Sequence, residues 1–257
     1  MPLVSSVELK LVRNEIDERV NENFDKWIIP NLLDKDINGA YSGCYKIAMF
    51  MTIFIQAFRL GAEPFFFSHA KEKNAKQTYA LIMKYFVITG SLMLVFIIAY
   101  LDIFKAMLVT DSNYWQAIQI VPIVLLANLC LGIYFNLAIW YKLTDKTRYG
   151  MYLSIVGAIV TIGLNITLIP EFGFIAAAWT TLVAYGVMMI LSYLLGQKHY
   201  PVPYNLKQIL GYLFMAVALS IVALNTKANY YINTIIVLVF LGLIVLFEKK
   251  EIKRLLK

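Results

Sequence analysis

The sequence predicts an all-α fold, a polytopic membrane helical bundle of about seven transmembrane helices. The first observation is composition: 60% of the 257 residues are hydrophobic and only 15% are charged. A soluble domain is typically about 45–50% apolar with about 25% charged residues. The second is a mean hydropathy of +0.69. The third is the recurrence of apolar runs near the length of about 20 residues that crosses a bilayer. These observations exclude an ordinary soluble domain.

Hydropathy divides the chain into spans joined by short polar connections. The predicted spans cover residues 41–67, 79–100, 115–141, 149–169, 174–195, 208–225 and 230–247. We therefore expect three regions: a charged N-terminal segment over 1–38, the transmembrane bundle over 39–247 and a basic tail over 248–257.

Two shorter segments do not have the length of a span. Residues 24–33, FDKWIIPNLL, are half as long as a span and contain Pro30. They form either an interfacial helix or the end of a span whose beginning is lost. Residues 102–111, DIFKAMLVTD, are amphipathic and are expected to lie in the outer interface.

Basic residues are concentrated in alternate connections, after the first, third and fifth spans and in the tail. The intervening connections are more acidic, so the positive-inside rule predicts a cytoplasmic C-terminus. This topology also accounts for the net charge of +7 without a nucleic-acid partner. Lys84, a short way into the second span, is expected to extend its ammonium back to the inner surface.

The first span contains two charges, Arg59 and Glu63, inside the apolar run 49–67. Each costs roughly 2.5–3.5 kcal/mol at the centre of a transmembrane helix. Thr52, Gln56, Arg59 and Glu63 share one helix face within about 60°, and the charged pair is spaced to interact. Either the pair only sets the depth of the helix in the membrane, or this face borders a polar path through the membrane. Charges inside transmembrane helices usually border such a path.

The remaining polar and sulfur-containing residues suggest packing. Six polar residues inside spans are expected mainly to hydrogen-bond between helices: Asn128, Asn136, Asn165, Thr180, Thr181 and Tyr185. Cys44 and Cys130 are expected to be small buried hydrophobes. His69 and His199 have no neighbours at ligand spacing, so we predict no metal site and no cofactor.

Three segments resemble the carboxy-terminal half of bacterial polysaccharide (oligosaccharide-lipid) flippases, within the multidrug/oligosaccharidyl-lipid/polysaccharide exporter superfamily. They are AFRLGAEPFFF at 57–67, NLAIWYKLTDKTRYGMYLSIVGAI at 136–159 and NITLIPEFGFIAAAWTT at 165–181. The third segment has the family's pattern of Asn, Pro, Gly and small residues, here Asn165, Pro170, Gly173, Ala176, Ala177 and Ala178. Such small residues let helices approach closely. The resemblance covers roughly residues 23–250.

The resemblance implies one half of a transporter of about 12–14 helices that works by alternating access. It implies no enzymatic activity and a polyprenyl-pyrophosphate-linked oligosaccharide as substrate, moved across the bacterial inner membrane for surface polysaccharide. Arg59 would grip the pyrophosphate. Glu63 would hold Arg59 or couple transport to a cation, while Gln56 and Thr52 would offer neutral hydrogen bonds. The implied partners are this lipid-linked oligosaccharide, membrane lipids and a missing N-terminal half or a second copy.

Three alternatives remain at this stage. A cation-coupled drug exporter of the same superfamily would carry an acidic residue deep in the bundle, away from basic partners. A membrane glycosyltransferase or polymerase would carry a large loop or clustered carboxylates, and this chain has short loops and no paired acids. The chain is alternatively an inactive half-transporter remnant, inserted in the membrane without transporting.

Overall fold

In a computed structural model, the described residues 35–109, 112–226 and 229–255 form helices joined by short connections, with no strand among them. In chain order the helices are α1 (Lys35–Ser68), α2 (Ala75–Ala99), α3 (Leu101–Leu108), a 3₁₀ helix (Ser112–Ile120), α4 (Val121–Leu137), α5 (Ile139–Leu143), α6 (Arg148–Phe172), α7 (Phe174–His199), α8 (Leu206–Asn225) and α9 (Tyr230–Leu255). The all-α prediction is confirmed. The half-length segment at 24–33 and most of the N-terminal segment 1–38 lie outside the described residues.

Six helical stretches of the described chain are long and apolar enough to cross a membrane. They are Ala75–Ala99, Tyr114–Leu143, Arg148–Phe172, Phe174–His199, Leu206–Asn225 and Tyr230–Lys249, and they match the second to seventh predicted spans. The first predicted span lies within α1, a helix of 34 residues that continues through Pro64. Its charged and polar side chains lower its hydropathy, so α1 is not among the six. The chain is therefore a polytopic membrane bundle with one long helix of mixed polarity.

Helix α4 forms the centre of the bundle. It packs against α1, α2 and α7, while α7 also packs along α6 and α2 along α8. Leu125 and Leu129 of α4 are fully buried among apolar side chains of α1 and α2. The outer helices present apolar side chains outward, as Leu238 and Phe247 of α9 do, which suits contact with lipid. The packing places the C-terminal half of α1 next to the end of α4, where the candidate site lies.

A single residue, Gly173, connects α6 and α7. Its φ of 63° and ψ of −149° belong to a region of backbone space that is essentially restricted to glycine. Ala176, Ala177 and Ala178 follow it and are buried, because their small side chains allow neighbouring helices to approach closely. In the sequence pattern, glycine therefore forms the turn between the two helices, and the alanines allow close packing of the helix that follows.

The ammonium of Lys84 is buried within the protein. The residue is 5% exposed, and Nζ lies 2.8 Å from Oε2 of Glu248 on α9. Tyr212 of α8 donates to the other oxygen of Glu248, also at 2.8 Å. A buried carboxylate thus satisfies the ammonium, a tertiary contact that the sequence does not predict. Glu248 opens the segment assigned to the tail, and the extension of Lys84 toward the inner surface stays a prediction. Helix α9 continues into the segment 248–257 assigned to the tail and ends at Leu255.

The connection between the second and third predicted spans forms helices as well. Its first part forms α3, a short helix in which Lys105 Nζ lies 2.7 Å from Asp102 Oδ1. The same ammonium lies 4.5 Å from the ring centre of Trp115. Residues 110–111, at the end of the amphipathic segment, lie outside the described residues.

Candidate functional site

The candidate site begins with the charged pair of α1. Arg59 Nε donates to Glu63 Oε1 at 2.8 Å, across the one helical turn that separates the two residues. The side chains are 18% and 28% exposed, respectively. The two charges therefore interact along the helix face as their spacing predicts, in mostly buried surroundings.

A second cation reaches the same carboxylate from another helix. Lys142 of α5 places its Nζ 2.7 Å from Glu63 Oε1, the oxygen that Arg59 also contacts. The Lys142 side chain is 15% exposed. Two cations share one carboxylate, so the three side chains together carry one net positive charge. We call Arg59, Glu63 and Lys142 the cation cluster.

The sequence alone does not indicate Lys142 as a site residue. This lysine lies in the basic connection after the third predicted span, where it contributes to the topology signal. The available clue was its position directly at the end of that span, on the same predicted side of the membrane as Glu63. No local pattern indicates the contact, because 79 residues separate Glu63 from Lys142.

An apolar cleft adjoins the cation cluster. The ring centre of Phe135 lies 4.6 Å from the guanidinium carbon of Arg59, a cation–π contact that favours burial of the charge. Arg59, Glu63 and Phe135 line the cleft together with Ile55, Phe58, Ala62, Phe66, Gly132 and Asn136. Its free volume is about 10 Å³, enough for about one water molecule. The cleft is therefore closed to any larger group in this conformation.

Asn136, which lines the cleft, has a buried side-chain oxygen without a hydrogen-bond partner among the described residues. The residue is 5% exposed, and its Nδ2 donates to the carbonyl of Gly132 one turn earlier at 3.1 Å. Its Oδ1 has no hydrogen-bond partner within the described ranges. The interhelical bond expected of Asn136 is therefore absent from this part of the chain. A buried acceptor without a partner is costly, so a donor that enters the cleft would find a ready acceptor.

Thr52 and Gln56 do not join the cleft. Thr52 Oγ1 accepts from Nδ2 of Asn128 at 3.2 Å, and the same Nδ2 lies 3.3 Å from the carbonyl oxygen of Ala48. This contact joins α1 to α4 and confirms the interhelical role predicted for Asn128. Gln56 is exposed on α1. The structure brings Arg59 and Glu63 together with Lys142, and it places Thr52 in a helix–helix contact instead.

The described residues offer no group of three or more His, Cys, Asp or Glu side chains arranged to hold a metal ion. Cys44 and Cys130 are both buried, as the sequence predicts. His199 stacks on Trp140 and hydrogen-bonds to Tyr149, with its Nε2 3.2 Å from the phenol oxygen. Its contacts are those of a packed histidine between helices.

Comparison of the sequence with known protein families gives one match. The model of the MatE family matches residues 22–167, more than half of the chain. The matched range includes α1 to α5 and most of α6, and hence the whole cation cluster. No curated protein and no solved structure matches the chain at a significant level.

Proposed function

Because the chain belongs to the MatE family, within the multidrug/oligosaccharidyl-lipid/polysaccharide exporter superfamily, we propose that it acts as a lipid-linked oligosaccharide flippase. Its substrate is a polyprenyl-diphosphate-linked oligosaccharide, moved from the cytoplasmic to the outer leaflet of the bacterial inner membrane. The C-terminus lies in the cytoplasm, and the product is used for surface polysaccharide. A second half, either an N-terminal half or a second copy of this chain, completes the transport path.

The observation that carries this proposal is the net positive charge of the cation cluster inside the membrane bundle. Intramembrane charges are expensive and usually face a substrate path or a partner. Two cations contact the single carboxylate of Glu63, so the cation cluster carries more positive than negative charge. This excess supports an anionic cargo, because an anion in the adjacent cleft would interact favourably with the cluster.

The mechanism requires no covalent step. In the closed conformation Glu63 and Phe135 hold the guanidinium of Arg59 in place. When the path opens, the planar guanidinium can donate paired hydrogen bonds to phosphate oxygens. Oδ1 of Asn136 can accept a hydrogen bond from a sugar hydroxyl, which supplies the donor that this oxygen lacks. Rocking of the two halves then exposes the site to the opposite side.

A cation-coupled drug exporter is the second candidate. That function calls for an acidic residue deep in the bundle and away from basic partners. Glu63 contacts both Arg59 and Lys142, and Glu248 contacts Lys84 at 2.8 Å. Both carboxylates are thus engaged by cations. This pairing supports an anionic cargo over a cationic drug.

The proposal is tested in a strain whose surface polysaccharide depends on this protein. Arg59→Ala is expected to abolish that polysaccharide, because the remaining Lys142 and Glu63 have no net charge. Arg148→Ala removes the same side chain from an exposed position and is expected to leave polysaccharide unchanged. Immunoblots of the membrane fraction establish equal protein levels. Normal polysaccharide with Arg59→Ala would exclude Arg59 from transport, and a loss of drug resistance alone would favour the exporter.

A further inference from the structure

The two cations of the cluster differ in their contacts: both touch Glu63, and Arg59 also lies over the ring of Phe135. We propose that Lys142 is a second ligand for the substrate diphosphate, held by Glu63 in the empty site and transferred to a phosphate when substrate enters. The inference rests on the proposed function and deepens it. Arg59 then binds one phosphate and Lys142 the other, so that the site selects a diphosphate over a monophosphate.

The spacing of the two nitrogens fits this role. Arg59 Nε and Lys142 Nζ lie 2.8 and 2.7 Å from the same oxygen, Glu63 Oε1. Their separation therefore cannot exceed the sum of these distances, about 5.5 Å. A diphosphate carries its oxygens on two phosphorus atoms joined by one bridging oxygen, so two cations this close can each take one phosphate. A monophosphate can also bridge the pair, as the single oxygen of Glu63 does, but it brings less negative charge, so the diphosphate is the stronger ligand.

Glu63 acts as a placeholder for the substrate anion. In the empty site its carboxylate keeps two cations together that would otherwise repel each other. A diphosphate brings more negative charge than one carboxylate, so it can compete for both cations. Its oxygens also repel Glu63, which favours release of Lys142 from the carboxylate. The exchange keeps both cations paired throughout and leaves neither buried alone.

Lys142 is better placed to move than Arg59. Arg59 is fixed by Glu63 one turn away and by the face of Phe135. Lys142 carries a flexible four-carbon stem with a rotatable ammonium. Its helix α5 is held by its neighbours Trp140 and Tyr141, which are 2% and 3% exposed. The backbone of α5 therefore stays in place while the Lys142 side chain swings between Glu63 and the substrate.

The test measures binding of two probe lipids to the purified full chain in nanodiscs. The probes are a polyprenyl diphosphate and a polyprenyl monophosphate of the same chain length. Wild-type protein is expected to prefer the diphosphate. Lys142→Ala is expected to weaken diphosphate binding about tenfold or more and monophosphate binding less, so that the preference for the diphosphate falls. Lys142→Arg is expected to restore much of the preference. Lys146→Ala removes an exposed lysine of the following connection and is expected to change neither affinity.

Different results of these binding measurements would overturn the role of Lys142 alone or the flippase proposal as well. Lys142→Ala leaves Arg59 and Glu63 as a neutral pair, so the variant is expected to fold, and its thermal unfolding temperature verifies this. A folded Lys142→Ala protein that keeps the full diphosphate preference would overturn the role of Lys142 alone. Wild-type protein that binds both lipids equally would do the same. Wild-type protein that binds neither lipid would overturn the flippase proposal together with the inference.

Discussion

Lys84 of α2 and Glu248 of α9 form a buried ion pair, with Nζ and Oε2 2.8 Å apart and side chains only 6% and 4% exposed. Tyr212 of α8 donates to the second oxygen of the carboxylate. Three helices thus meet at one neutralised pair of charges. Helix α9 is otherwise largely exposed, so this contact is a principal attachment of its C-terminal end.

Glu248→Ala is expected to destabilise the protein severely, because it leaves Lys84 buried without its carboxylate. Removal of one partner of a buried pair costs about 3–5 kcal/mol. Thermal unfolding of the purified protein in detergent measures the loss, with Lys249→Ala at an exposed neighbouring position as control. The double variant Lys84→Met with Glu248→Leu is expected to recover most of the stability, since apolar replacements of a buried pair are often neutral. A Glu248→Ala variant as stable as wild type would contradict the burial of this ion pair.

The sequence predicted the helices well because helix formation in a membrane follows from local composition. It also predicted the pairing of Arg59 with Glu63, which depends only on their spacing along one helix. It did not predict the contacts of Lys142 or Lys84. Their partners lie 79 and 164 residues away along the chain, and only the packing of the helices decides such contacts. Hydropathy treated both lysines as markers of the membrane surface.

Gly196→Ala is expected to destabilise the contact between α5 and α7. A Cβ at position 196 would lie 2.9 Å from Cδ1 of Trp140, and this indole is buried and stacked on His199. Overpacking of this kind typically costs about 1–3 kcal/mol. Gly186→Ala is the matched control on the same helix, because no atom lies within 4 Å of its added Cβ. Unfolding temperatures of the two variants compare them, and equal values would contradict the tight packing.

The hydrogen bond between Asn128 and Thr52 can be measured by a double-mutant cycle. Asn128→Leu and Thr52→Val each remove this contact between α4 and α1. We expect a coupling energy of about 0.6 kcal/mol, and at most about 1.7 kcal/mol, typical of interhelical hydrogen bonds in a membrane protein. Asn128→Leu should lower the free energy of unfolding more than Thr52→Val does, because it also removes the hydrogen bond to the carbonyl of Ala48. Strictly additive effects of the two substitutions would exclude the contact.

The predicted topology can be tested by cysteine labelling of intact cells, in a background where Cys44 and Cys130 are replaced by alanine. Glu171→Cys, at the end of α6, is expected to react with a membrane-impermeant thiol reagent added from outside. Lys73→Cys, between α1 and α2, is expected to react only after the cells are permeabilised. Both positions are exposed, so reactivity reports sidedness. The reverse pattern would invert the orientation.

The distance along the chain between Lys84 and Glu248 has a consequence for biosynthesis. Helix α2 leaves the ribosome 164 residues before the carboxylate that will pair with its lysine. At about 5–20 residues per second, the ammonium of Lys84 spends on the order of ten seconds or more without this partner. During that interval a newly inserted α2 has to keep Lys84 near water or another polar group. The final placement of α2 in the bundle is therefore completed only when α9, the last of the described helices, has been synthesised.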